Sequence, residues 1–319
     1  MRTALCLHGM MGQETRWEEK PNIGKRGATL DPFLGWKQYK RHLLDKNENV
    51  DVFLHTRDPD FDEKVIKLYR PKKHEVEPYY TLDLDKYCIA SNKATNHPLD
   101  SAKNHAQRAW SRWHSAYKSV KLKSDYEKEN NFKYDCVFLA RPDYLAFEDF
   151  IFPDYNMDYF YLPWSNYMGK NRKFYKEGAP DLWFFSDSEK MDKFSEIYLE
   201  MEKGADTIVY SKTRGPVRGG PVVGGSYIFR HQEIPGSMHV VLKNQLLEME
   251  RLGHKIRYVL NSDVDGSIPE NVRDATIRNR KQKYWNYDEE TKLYSLKPEY
   301  AKHINKKTFD FRDKAVNYP

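Results

Sequence analysis

Short apolar runs alternate along this chain with stretches in which apolar residues recur every three or four positions. Residues 3–7 (TALCL), 50–54 (VDVFL) and 134–140 (YDCVFLA) have strand length and predict buried strands. Further strands are expected at 158–162, 182–185, 226–229 and 256–260. Helical spacing marks residues 34–44, 62–68 and 237–252. The longest helix is expected over 101–129, where Ala102, Ala106, Ala109, Trp113, Ala116 and Val120 share one face. Ser186 and Glu189 have capping-box spacing and predict a helix reaching about residue 202. Residues 10–32 and 71–100 are irregular in pattern and predict loops, and 283–296 (KYWNYDEETKLYSL) predicts a hairpin.

Strands alternating with helices predict an α/β fold with a mostly parallel sheet. The pattern predicts one domain over residues 1–261 and a polar C-terminal extension over 262–319. The 319 residues suffice for a sizeable core, and 14% aromatic content argues against disorder. Charged residues make up 31%, and the net charge of +6 favours anionic partners without choosing among them. Three cysteines, Cys6, Cys88 and Cys136, form no C-x-x-C, so neither a disulfide framework nor a cysteine zinc site is expected. That usage points to a reducing compartment, the cytoplasm, or the host cytoplasm for a viral chain. No apolar stretch approaches the length of about 18 residues that a transmembrane helix needs.

The candidate chemistry lies where buried strands end. In open α/β sheets, ligands bind beyond the carboxyl ends of the strands. Three predicted strands end in polar groups: His8-Gly9, His55-Thr56-Arg57-Asp58 and Arg141-Pro142-Asp143. Asp143 is a candidate ligand for a divalent cation, Mn²⁺ or Mg²⁺, that would hold a diphosphate, and Arg141 would contact the same phosphates. Asp181, opening an apolar strand, is the candidate general base, with Trp183 as a sugar platform and Trp164 as a second acceptor contact. Arg214 and Arg218 stand in a glycine-rich loop suited to covering an anion. Phosphate-loop, dinucleotide-fingerprint, nucleophile-elbow and H-E-x-x-H patterns are all missing from the sequence. The basic segment 273–283 leaves nucleic-acid binding open as a minor alternative.

Five segments taken in order resemble a family of glycosyltransferases from capsule and lipopolysaccharide gene clusters and large DNA viruses. They are Leu5-Cys6-Leu7-His8-Gly9, Val50 to Thr56 (VDVFLHT), Tyr126-Glu127, Tyr134 to Asp143 (YDCVFLARPD) and Asp181 to Asp192 (DLWFFSDSEKMD). Two positions depart from the pattern: Met10-Met11-Gly12 intervene where an arginine usually follows, and Pro180 replaces an asparagine. The resemblance implies a GT-A-like fold, a nucleotide-sugar donor and a glycan or glycolipid acceptor. It makes residues 1–261 the catalytic domain, with a donor half of about 1–145 and an acceptor half of about 146–261. His8, Gly9, His55, Thr56, Arg57, Arg141, Asp143, Arg214 and Arg218 would then contact the donor. A sugar- or nucleotide-binding module without catalysis is the alternative, and nucleic acid is not expected as a partner.

Overall fold

The computed structural model describes residues 1–9, 13–16, 25–29, 31–57, 62–78, 99–146, 149–163, 181–199, 208–210, 227–229, 238–262, 275–276, 285–301 and 304–310. Eight strands form the main sheet: β1 (Thr3–His8), β2 (Val50–Thr56), β3 (Lys73–Val76), β4 (Cys136–Ala140), β5 (Tyr159–Pro163), β6 (Trp183–Ser186), β7 (Lys255–Ser262) and β8 (Ile304–Asp310). Across the sheet they run β8-β7-β5-β6-β4-β1-β2-β3. The pairs β1–β2, β1–β4, β2–β3 and β5–β7 are parallel. β6 runs against both β4 and β5, and β8 runs against β7. The sheet is therefore mostly parallel, as the pattern predicts.

Side-chain alternation splits the core into two layers, because successive strand residues face opposite sides. Ala4, Cys6, Phe53, Val137 and Leu139 face one side. There they meet α3 (Leu99–Asn130), α4 (Ser188–Ser195) and α5 (Met238–Arg251). Leu5, Leu7, Val52, Leu54 and Phe138 face the other side, against α1 (Pro32–His42) and α2 (Asp62–Tyr69). Trp113, Ala116 and Val120 on α3 are buried on the predicted stripe. Pro32 opens α1, and Asp31 caps it by accepting from the Phe33 amide at 3.1 Å.

Two elements differ from expectation for a common reason. β3 (KHEV) and β8 (INKKTFD) are edge strands and lack the apolar run of a central strand. A ribbon of Gln13–Arg16 and Lys25–Thr29 also crosses a stretch expected to be loop. The cap of α4 shifts by one residue: Asp187, not Ser186, accepts from the Lys190 amide at 2.8 Å. Ser186 instead ends β6, its hydroxyl donating to the Tyr159 carbonyl at 2.9 Å. The polar segment after residue 261 rejoins the body at three places. β8 extends the sheet, Ala275–Thr276 pairs with Tyr144–Leu145, and the Tyr294 carbonyl of the hairpin accepts from Gln38 at 3.1 Å.

The order of the sheet sets the place for a ligand. From β1 the chain moves outward to β2 and β3, then returns to lay β4 on the other side of β1. The crevice beyond the carboxyl ends of β1 and β4 is the switch point at which open α/β sheets bind ligands.

Candidate functional site

Six elements deliver polar side chains to this edge. β1 ends at His8, β2 leads into Arg57, and Glu77 follows β3. β4 leads into Arg141-Pro142-Asp143. Because β6 is antiparallel, with Trp183 opposite Ala140, its entry residue Asp181 arrives at the same edge. The middle of α3 supplies Arg112, His114 and Ser115.

Two arginine–aspartate pairs occupy the β4–β6 side. Arg141 grips Asp143 bidentately, Nε donating to Oδ1 at 2.8 Å and Nη2 to Oδ2 at 2.5 Å. Asp143 is fully buried. Burial pushes its carboxyl above the usual range, opposed by Arg141 and Arg112. Arg141 is raised as well: burial disfavours its charge, but Asp143 outweighs burial and holds the guanidinium charged. Arg112 lies with Nε 3.3 Å from Asp181 Oδ2. Burial lowers Arg112 to about 10, and Asp181 opposes that shift. Arg112 Nε and Nη2 find no hydrogen-bond partner among the described residues.

His8 sits between these pairs and β2, opposite His55 in the register. It is 1% exposed, and neither ring nitrogen has a hydrogen-bond partner among the described residues. Burial drives its pKa well below 6.5, with the charges of Arg112 and Arg141 adding to the effect. The imidazole is neutral in the fold, whereas the unfolded chain protonates it below about pH 6.5. Stability is therefore lost as pH falls through 6.5. Between pH 6.5 and 5, wild type should lose more stability than His8→Asn, by at most about 1.7 kcal/mol. Urea titrations at both pH values test this, and equal losses in the two proteins would refute it.

Gly9 follows with φ of +89°, a conformation that favours glycine. Its amide donates to the His55 carbonyl at 3.1 Å and to Ser115 Oγ at 2.7 Å. Ser115 Oγ also lies 2.7 Å from His55 Nδ1. These contacts fix the turn after β1 against β2 and α3.

The β2–β3 side holds a second constellation. His55 Nε2 lies 3.5 Å from Glu77 Oε2, and His114 Nδ1 lies 3.6 Å from the same oxygen. Arg57 Nη2 donates to His114 Nδ1 and lies 3.2 Å from Glu77 Oε2. Lys118 Nζ is 3.3 Å from Glu77 Oε1. Burial lowers His55 to about 3 and His114 to about 4. Burial raises Glu77, but His114, His55 and Arg57 together outweigh it and the net shift is downward. His55, Glu77 and His114 are the described residues whose donor atoms gather closely enough to hold a metal ion.

The structure thus brings together His8, Gly9, His55, Thr56, Arg57, Arg141, Asp143 and Asp181 at one edge. Two expectations need correction. Trp183 is fully buried and packs on Phe138 and Phe185, with centroids 5.8 and 5.7 Å away, so it presents no face to a sugar. Asp143 gives both oxygens to Arg141, and the metal-ligand geometry falls at His55, Glu77 and His114 instead. Trp164, Arg214, Arg218 and Asp58 lie outside the described residues.

Arg112, His114, Ser115 and Glu77 were not visible as site residues in the sequence. The first three flank Trp113 beside the unbroken apolar stripe of α3, where helical periodicity alone gives them no role. Other segments of the resemblance have structural work. Tyr134 donates to Asp51 at 2.7 Å, tying β4 to β2. Glu127 accepts from the Tyr134 amide at 2.8 Å. Lys123, fully buried, donates to Glu127 at 3.1 Å, Ser188 at 2.5 Å and Asp192 at 2.6 Å, locking α3 to α4. No protein-family model matches the chain, and no curated protein matches it. No helix among the described residues is long and apolar enough to cross a membrane.

Proposed function

We propose that this chain is a glycosyltransferase of GT-A-like fold that moves a sugar from a nucleotide donor to a glycan or lipid-linked acceptor. One observation carries the reading: buried polar groups without hydrogen-bond partners, on His8 and Arg112, converge with Arg141 at the switch point of a mostly parallel sheet. Buried polar groups are normally satisfied, so unsatisfied donors that converge at a ligand-binding edge mark a site built for a polar guest. Two guanidinium groups, Arg112 buried and Arg141 half-buried, suit an anionic one.

In this proposal Arg141 and Arg112 neutralise the donor diphosphate as it leaves. His8, held neutral, offers a hydrogen bond without adding charge. Asp181 takes the proton of the acceptor hydroxyl while that oxygen attacks the anomeric carbon, and the sugar–phosphate bond breaks as the new glycosidic bond forms. Arg112 holds Asp181 in place. A manganese or magnesium ion does not fit the donor set at Asp143, since Arg141 engages both carboxylate oxygens and Asp181 is paired with Arg112. Arginine charge stands in its place.

Thermal shifts with a panel of nucleotide sugars test the reading, because a ligand of the native state raises apparent stability by mass action. One donor should raise the midpoint at millimolar concentration, equally with and without chelator. No shift with any nucleotide or nucleotide sugar would count against it.

A further inference from the structure

We infer that His55, Glu77 and His114 form a binding site for a zinc-type divalent cation, and that the guanidinium of Arg57 and the cation exclude one another there. The inference stands independently of the glycosyltransferase reading. Three different elements place the donor atoms: the carboxyl end of β2, the residue after β3, and the middle of α3. Zinc–ligand lengths of about 2.0–2.1 Å at tetrahedral angles put neighbouring donors about 3.4 Å apart. The two nitrogen–oxygen separations here are 3.5 and 3.6 Å. All three donor atoms lie within 4.8 Å of one another, so the imidazoles need only close slightly around an ion.

The surroundings have the order of a metal site. His55 Nε2 is buried and faces the carboxylate without a hydrogen-bond partner among the described residues. Its other nitrogen, Nδ1, is held by Ser115 Oγ at 2.7 Å, the outer contact that orients a ligating imidazole. Glu77 turns Oε2 toward both histidines while Lys118 holds Oε1, and Arg57 Nε donates to the same Oε2 at 3.3 Å, the oxygen a cation would take. His114 Nδ1 accepts from Arg57, so its lone pair points at a cationic group. Arg57 Nη2 sits between His114 and Glu77, as an ion would. Two imidazoles and one carboxylate are the donor types of catalytic zinc sites, in which water takes the fourth position. Glu77 is partly exposed, which leaves a route for the ion and the water. Magnesium prefers octahedral oxygen donors and is not expected here.

The test uses the full chain. Calorimetric titration should show one zinc site and no comparable magnesium site. Cobalt bound to the same site should give the intense visible absorption of a four-coordinate ion. His114→Ala and Glu77→Gln should each weaken zinc at least about tenfold. Arg57→Gln, which removes the competing guanidinium, should tighten it at least about tenfold. The cobalt spectrum of wild type needs no variant and so survives any folding defect. A faint six-coordinate spectrum, no saturable zinc in wild type and Arg57→Gln, or zinc binding unaffected by His114→Ala would each overturn the inference.

Discussion

Arg141→Leu is expected to destabilise the fold by about 3–5 kcal/mol, because it takes from the buried Asp143 carboxylate the guanidinium that engages both of its oxygens. The carboxylate is fully buried, and Arg141 donates to both of its oxygens. A loss of that size is a large share of the roughly 5–15 kcal/mol that holds a native domain together. The double variant Arg141→Leu/Asp143→Leu should recover most of it, since replacing both members of a buried pair by apolar groups is often neutral or stabilising. Urea unfolding of the three proteins measures the difference. If the single and double variants lose the same amount, Asp143 is not held by the pair.

The second large effect concerns turnover. Asp181→Asn should lower sugar transfer by about 10²–10⁴-fold, the range for loss of a general base. The amide keeps an oxygen facing Arg112, so the fold and the donor affinity should stay near wild type. Release of free sugar from the donor, followed by mass spectrometry, separates this from a passive binding module, because a transferase leaks some sugar to water. A variant that loses donor affinity but keeps turnover per bound donor would move Asp181 into the donor site. A product that retains the donor's anomeric configuration would end its assignment as base.

The central strands and main helices could be read from the chain, because their residues are buried on both faces or on one stripe. The VDVFL and YDCVFLA runs are β2 and β4, and the 101–129 pattern is α3. What escaped detection has polar sequence for a physical reason. β3 and β8 are edge strands with charged residues, and Glu77 follows one of them. The strand-end residues His8, His55, Arg141 and Asp143 were visible as candidates because a polar group directly after a buried run has few structural uses. Their partners were not visible. Nothing local to Asp181 announces Arg112, which lies 69 residues earlier and meets it only through the packing of α3 on the sheet. Trp183 misled for a related reason. Its place two residues after Asp181 suggests a sugar platform, but strand alternation turns its ring into the aromatic layer with Phe138 and Phe150.

The central claim is that a nucleoside diphosphate group binds at the crevice between β1 and β4 on arginine charge. Calorimetric titration of a nucleoside diphosphate panel into wild type and the folded Arg141→Leu/Asp143→Leu variant tests it most directly. Wild type should bind one nucleotide, with or without chelator, and the variant should bind it about 1.5–3 kcal/mol more weakly, the worth of a charge-assisted contact. Equal affinity in the two proteins, or binding that vanishes in chelator, would contradict the account.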